Sequence, residues 1–528
     1  MISNRCNWLR TVGALTLSAF VLALSVGTFA QDKSECPVRV TLLQVNDVYQ
    51  FAPVDGGKNG GLGRVLTLRK QIMRESPHTL FLFSGDTISP SIESNTVDGG
   101  QMMKGRQMIE AWNLIGLDYA TLGNHEFDFG PDTLHQRIRE SRFKWLVANV
   151  FDKKTGKLLA DTQEFAVREF DGVKIGIFGL LLRETLQTSQ TGPDIEIGEP
   201  CAAAARVIPK IRAAGAQVIV ALTHLPMSED KQLARCAGVD IIIGGHEHTL
   251  LESLAGHAPI FKMTSDAREL GRIDLNIART TGKLESIDWK IYPVNQTVAS
   301  DPDFAPLNEK YGALLKRLEE VIGRTEVELD LRSEHVRTRE TNMADFIADT
   351  YCAATGADVA LVNGGSLRAD TVINQGEVTR RDVLSIVPFN NRIVKIEITG
   401  AVLRAALEHA VASFGTETEP GRFAQVSGVR YAYDARRQPG ARLTGVSVNG
   451  KQLDDKQIYT LAASDYVVLK GGDGYKMFSN AKILIGPEQG PAEADVLIKA
   501  ITAATSIAPK VDGRITRVDV AKDANACP

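Results

Sequence analysis

Tyr119–Asp128 reads YATLGNHEFD, an apolar run that stops at a glycine and gives way to an amide, an imidazole and two carboxylates. The same grammar recurs along the first half of the chain. VTLLQVNDVY places Asp47 after the run ending at Val45, LFLFSGDT places Asp86, VIVALTH ends on His224, and IIIGGHEH carries His246 and His248. Short apolar runs that end abruptly at Gly, Asp, Asn or His read as strands buried on both faces. In such sheets the ligand crevice lies beyond the carboxyl ends of the strands. Residues from Asp47 to His248 therefore converge in one crevice. Two carboxylates, one amide (Asn124) and several imidazoles form a ligand inventory for a pair of divalent cations, and hence for metal-assisted hydrolysis.

Working outward, a chain of 528 residues, 44% hydrophobic, is too long for a single core, so two or more domains are expected. Arg5 and Arg10 precede an uncharged apolar stretch from Thr11 to Gly27, and Thr28-Phe29-Ala30 supplies small residues for cleavage. The pattern predicts a secretory signal peptide over 1–30, cut after Ala30. The expected product is soluble, periplasmic or secreted, without a stable membrane anchor. The formal net charge is -4, and the first thirty residues hold two Arg and no acid, which leaves -6 for the remainder. A mildly acidic net charge argues against binding of long nucleic acids, which need basic stripes. Five cysteines follow Ala30: Cys36, Cys201, Cys236, Cys352 and Cys527. None has zinc-thiolate spacing. Cys201 with Cys236, and Cys36 with Cys527, are the pairings an oxidising compartment would permit.

From Val38 to Pro293 strand and helix patterns alternate. Strands are predicted over Val40–Val45, Thr79–Phe83, Tyr119–Leu122, Trp145–Val150, Val173–Leu180, Gln217–Thr223 and Val239–Ile243. Helices are predicted over Gly63–Glu75, Gly105–Ile115, Pro131–Ser141 and Ala202–Ala214. Gly271–Ile291 reads as paired closing strands. Asp301–Gly323 carries apolar residues at helical spacing after Asp and Pro and reads as a connecting helix. A second α/β pattern follows, with helices over Thr341–Thr355 and Gly400–Ser413 and a short strand over Val359–Val362.

NDVY, GDT, GNHEFD, TH and GHEH, in this order, resemble the calcineurin-like metallophosphoesterases. More narrowly they resemble the secreted 5'-nucleotidase and UDP-sugar hydrolase family, over nearly all of the chain after the signal segment. The resemblance implies a four-layer α/β/β/α metallophosphatase domain over 31–300, a linker helix over 301–324 and a C-terminal α/β substrate-binding domain over 325–520. It also implies two divalent ions (Zn, Mn or Co), one held by Asp47, Asp86 and His248, the other by Asp86, Asn124, His224 and His246. His125 would stabilise the transferring phosphoryl group or assist the leaving oxygen, with Asp128 orienting its ring. Glu126 is expected to be a solvent-facing or supporting group. One position departs from the family: Tyr49 stands where D-x-H is usual. A neutral phenol is a poor ligand for Zn or Mn, so Tyr49 would bind a harder ion or merely hydrogen-bond a water.

In the second domain Asn363-Gly364-Gly365-Ser366-Leu367-Arg368 follows a strand. Glycines let a ligand approach the backbone, and Arg368 offers a planar fork for a carboxylate or phosphate. By resemblance Asn363, Gly365 and Arg368 contact ribose and phosphate, and Arg337 faces the same crevice. Phe423 in GRFAQVSG and Tyr475 in GGDGYKM lie in Gly-flanked loops, which suggests exposure. The resemblance makes them a nucleobase clamp, and stacking contributes about 1–3 kcal/mol per base. The expected function is an exported dimetal phosphohydrolase releasing phosphate from nucleotides, of 5'-nucleotidase type. The alternatives are a 2',3'-cyclic nucleotide phosphodiesterase/3'-nucleotidase, a UDP-sugar hydrolase, and a non-catalytic nucleotide-binding protein with a degenerate metal site. A monomer is expected, with a homodimer as the alternative.

Overall fold

Val38–Val45 buries both faces, and that fact organises the first domain. Val38, Val40 and Leu42 point into one apolar cluster, Leu43 and Val45 into another. The computed structural model describes residues 36–389, 391–414 and 420–520. The signal segment expected over 1–30 and Cys527 lie outside them. Val38–Val45 pairs in parallel with Thr79–Phe83, which continues in parallel to Tyr119–Thr121 and Lys144–Leu146. On its other edge it meets Glu269–Ile277, whose hairpin with Leu284–Pro293 completes six strands. A second six-stranded sheet runs Phe165–Phe170, Val173–Leu181, Val218–His224, Ile241–Gly244, Ala258–Lys262, Leu251–Ala255. Leu42, Leu80 and Leu82 of the first sheet pack on Ile177, Val220 and Ile243 of the second.

Helices cover the two outer faces. Trp112 of Arg106–Ile115 packs on Phe83, with ring centroids 5.1 Å apart. Ile211 of Pro200–Ala213 lies so near the second sheet that a methyl on Gly176 would come within 2.0 Å of it. The four layers α/β/β/α are thus present. Cys201 and Cys236 form a disulfide that ties Pro200–Ala213 to Met227–Cys236, with Cα atoms 6.0 Å apart. Cys36 and Cys352 are free thiols.

Two boundaries differ from expectation. The strand expected over Trp145–Val150 leaves its sheet after Leu146, because the chain there crosses to the second sheet. Ala148 N–H donates to Gly179 O, and the Asn149 amide brackets Leu181. The connector is shorter than 301–324. Helix Ala305–Leu315 ends in a 3₁₀ turn at Lys316–Glu319, and Val321–Thr325 is already a strand between Gly376–Thr379 and Ser506–Ile507. Buried Ile322 anchors that strand in the second domain's core.

The second domain centres on a five-stranded sheet in the order Ala424–Ser427, Val359–Asn363, Ile458–Ser464, Ile393–Thr399, Lys482–Ile485. Helices Asn342–Thr355 and Glu493–Ala504 pack on one face and Gly400–Ala410 on the other. Among the described residues no helix is long and apolar enough to cross a membrane.

Asp345, in the first turn of Asn342–Thr355, is 1% exposed, and its nearest cation is Arg514 Nε at 3.6 Å. Burial, together with the carboxylate of Glu340, outweighs Arg514 and pushes its pKa up to about 9 from 3.8. Between these values the folded state holds a proton that the unfolded chain lacks, so stability falls as pH rises from about 4 to about 9. Asp345→Asn removes that term. Its melting temperature should gain on the unsubstituted protein progressively from pH 5 to pH 9 in thermal scans; a constant difference would contradict the assignment.

Candidate active site

The polar residues collect where the apolar strands end, and the local backbone aims them. Asp47 (φ 52), Asp86 (φ 67) and His246 (φ 84) all adopt left-handed backbone, a conformation that costs non-glycine residues energy and clusters at functional sites. Gly85 lets the Asp86 turn close. A methyl there would meet His224 Nδ1 at 2.7 Å and Gly123 N at 2.8 Å. Asn124 and His125 open the 3₁₀ turn Asn124–Phe127, and His224 is the last residue of its strand.

Asp86 sits at the centre. Its Oδ2 lies 3.3 Å from His224 Nε2 and accepts from the Tyr49 hydroxyl at 3.2 Å, while Oδ1 accepts the His125 N–H at 2.8 Å. Asp47 Oδ2 accepts from His246 N–H at 3.0 Å, and Oδ1 is 3.5 Å from His248 Nε2. Ligand atoms of Asp47, Asp86 and His224 fall within 4.8 Å of one another. The His224 Nδ1–H donates to Ser84 O at 2.7 Å, which fixes the ring with Nε2 aimed at Asp86. Buried Asn124 Oδ1 and His224 Nε2 have no hydrogen-bond partner. Burial disfavours charge on His224, yet Asp86 and Asp47 outweigh it and push its pKa up to about 10. The same surroundings hold the Asp86 carboxyl far below its ordinary range: burial raises it, but His224 and His125 prevail. His246 is depressed by burial and by the positive charge of His224 and Lys262. Orphaned donors around two carboxylates that hold a positive charge fit divalent cations, with Asp86 placed to be shared.

Two supporting residues carry more than their sequence context suggested. Glu126 faces inward and accepts N–H groups from Asp86, Thr87, Ile88 and Gly123, so one carboxylate fastens the Asp86 turn to the GNHE turn. Burial and Asp86 push it up to about 7, against the pull of those N–H groups. Lys262 is not expected from the sequence. It is fully buried; Nζ donates to Leu225 O at 2.6 Å and Gly245 O at 2.9 Å, and it pairs with Asp230 and Glu247. One ammonium thereby ties the segment after His224 to the segment bearing His246 and His248. Its signal was present: Lys262 ends the apolar run APIFK just as His224 ends its own.

The second domain closes over this cluster. Arg368 lies 4.8 Å above the Tyr49 ring, and its Nη2 is 3.5 Å from His248 Nε2. Phe389 stacks on His125, centroids 5.8 Å apart at 28°. The His125 Nδ1 hydrogen-bonds Asp128 Oδ2 at 2.7 Å. Between the domains lies a cleft of about 1080 Å³ that Asn124, His125, Asp128 and His246 line from one side and Arg337, Asn363, Gly365 and Arg368 from the other. Asn363 Nδ2 donates to Asp473 Oδ2 at 2.6 Å, which also fixes Tyr466 through Oδ1.

The expected exposure of Phe423 and Tyr475 is corrected. Both are 0% exposed and belong to the apolar cluster of their domain. Phe423 packs edge-on against Phe414, and Tyr475 lies parallel to Phe478 while its hydroxyl donates to Arg422 O at 2.6 Å. The glycine-flanked loops fold back over the core, which the local sequence does not disclose. Phe129, Phe389 and Tyr466 line the cleft instead.

Comparison with known proteins agrees with this geometry. Residues 40–250 match the calcineurin-like phosphoesterase model and residues 321–480 the 5'-nucleotidase C-terminal domain model. The chain is 28% identical to the trifunctional nucleotide phosphoesterase protein YfkN of Bacillus subtilis over 91% of its own length, although it spans only 35% of that relative. It is 28% identical to the 5'-nucleotidase of Diplobatis ommata, covering 96% of this chain and 94% of the other. The solved 5'-nucleotidase precursor from Thermus thermophilus superposes with a TM-score of 0.84 at 27% identity, over 92% of this chain and 100% of that one. Two domain models in the right order, a superposable whole and the converging donors make one conclusion: the chain belongs to the two-domain 5'-nucleotidase family of calcineurin-like phosphoesterases.

Proposed function

We propose that the protein is a dimetal phosphohydrolase that releases phosphate from nucleotides, as 5'-nucleotidases do. The observation that carries this reading is the convergence of Asp47, Asp86, Asn124, His224, His246 and His248 at the floor of a cleft whose other wall bears Arg368 and Asn363. One cation would be held by Asp47, Asp86 and His248, the other by Asp86, Asn124, His224 and His246. A bound cation pair neutralises phosphate charge and lowers the pKa of water.

The chain's own groups do the rest. Burial opposes charge on His125, but Asp128 and Asp86 outweigh it and raise its pKa above the ordinary 6.5. Held by Asp128 at Nδ1, the ring presents Nε2 4.0 Å from Asp86 Oδ2. There it donates a hydrogen bond to the phosphoryl group or a proton to the departing ribose oxygen. Arg368 and Arg337 pair with phosphate, Asn363 with ribose hydroxyls, and Phe389 and Tyr466 offer ring faces to a base. Export agrees with the Cys201–Cys236 disulfide, since such bonds persist in oxidising compartments.

The decisive assay measures phosphate release from AMP, 3'-AMP, cyclic 2',3'-AMP and UDP-glucose, with and without Mn²⁺, Zn²⁺ or Co²⁺. Metal-dependent release that is fastest from AMP is expected. No release above blank from any substrate would leave a binding protein instead.

A further inference from the structure

We propose that Tyr49 is itself a ligand of the first cation, bound through its phenolic oxygen, and that it tunes this half of the centre to a hard, highly charged ion such as ferric iron. The inference rests on the dimetal reading above and specifies it. Its first support is geometric. The Tyr49 oxygen lies 3.0 Å from His248 Nε2, 3.2 Å from Asp86 Oδ2 and 3.3 Å from Asp47 Oδ1, and His248 Nε2 is 3.5 Å from Asp47 Oδ1. Donor atoms about 2.0–2.2 Å from one small cation, set at tetrahedral or octahedral angles, are about 2.8–3.6 Å apart. These four contacts, three of them made by the Tyr49 oxygen, already have the edge lengths of a coordination sphere.

A hydrogen-bonding role explains the arrangement less well. One phenolic O–H serves one acceptor at a time, yet two carboxylate oxygens stand equally close to it. A cation bound among these oxygen atoms would hold them together. The ring is also placed rather than merely packed: Tyr49 is 5% exposed, with the Arg368 guanidinium over its face and His125 edge-on at 6.0 Å.

The donor sets of the two halves then differ in kind. The first offers oxygens of Asp47, Asp86 and Tyr49 with one imidazole. The second offers one shared carboxylate, one amide oxygen and the imidazoles of His224 and His246. Oxygen-rich, anionic donors suit hard ions, and imidazole suits softer ones. Where the family resemblance leads one to expect histidine, tyrosine thus builds an asymmetric centre.

The test uses the protein stripped of metal by a chelator and reloaded with ferric citrate, read by bound iron per chain and by visible absorption. A phenolate-to-iron charge-transfer band is expected in the unsubstituted protein. Tyr49→Phe should lose the band and bind iron at least 10-fold more weakly, the lower bound of what even a supporting contact contributes. Tyr49→His, which returns a nitrogen to the position, should retain a cation without the band, and it guards against a fold defect in the first variant. Iron that does not bind, iron bound without the band, or a band that survives in Tyr49→Phe would each overturn the proposal. Phosphate release from AMP by the Mn²⁺-loaded, unsubstituted protein separates the two claims. Release without the iron band rejects Tyr49 alone, whereas a band without release rejects the hydrolase reading.

Discussion

Replacing His125 with alanine is expected to lower turnover of AMP by about 10²–10⁴-fold, the range spanned by a positioned general acid. The KM should change little, because the groups proposed to grip the nucleotide, Arg337, Asn363 and Arg368, are untouched. Bound cations should remain at two per chain, because His125 is not among the proposed ligands and the backbone N–H it gives Asp86 survives in alanine. Asp128→Asn should reproduce part of the loss, since it removes the negative charge that holds the ring through Nδ1. Steady-state kinetics with metal content measured on the same samples decides the matter. An unchanged kcat would remove His125 from the chemistry and leave it a packing partner of Phe389.

The second large effect is expected at Lys262. Lys262→Met should destabilise the metal-free protein by about 3–5 kcal/mol, because removing one member of a buried ion pair strands its partners. Here two carboxylates are stranded, Asp230 at 0% and Glu247 at 8% exposure, together with the carbonyls of Leu225 and Gly245. The cost is to be read from urea unfolding. The consequence for the site is separate: the segments bearing His224, His246 and His248 lose their common tie, so cation binding should weaken as well. Adding Asp230→Asn to Lys262→Met removes one stranded charge and should recover part of the stability. A variant as stable as the parent, with unaltered metal content, would show that the ammonium is dispensable.

Much of the first domain is legible in the sequence because an unbroken apolar strand can end productively in only one place. Asp47, Asp86, Asn124 and His224 announce themselves as polar residues closing such runs, and the structure brings ligand atoms of Asp47, Asp86 and His224 within 4.8 Å of one another, with Asn124 lining the cleft. The connector reads too long because its apolar spacing continues into Val321–Thr325, and only sheet partners from positions 376–379 and 506–507 reveal a strand. Glu126 and Lys262 escape notice for a related reason. A charged residue in a single sequence defaults to solvent, and its burial follows from partners far along the chain. Phe423 and Tyr475 show the converse error. Flanking glycines describe how freely a loop bends, not which way its ring turns. Phe389 follows Val387-Pro388 and looks like ordinary filling, yet domain closure sets it upon His125.

The left-handed backbone at Asp47, Asp86 and His246 bears on how the chain tolerates change. Few side chains occupy that region cheaply: glycine, which brings no donor, and asparagine or aspartate, which do. Codon randomisation at 47 and 86 should therefore return almost only aspartate among active clones, with asparagine and glycine among those that fold but do not turn over. At these positions the shape of the main chain and the demand for a donor atom narrow the permitted alphabet together, so this corner of the molecule is the least free to drift.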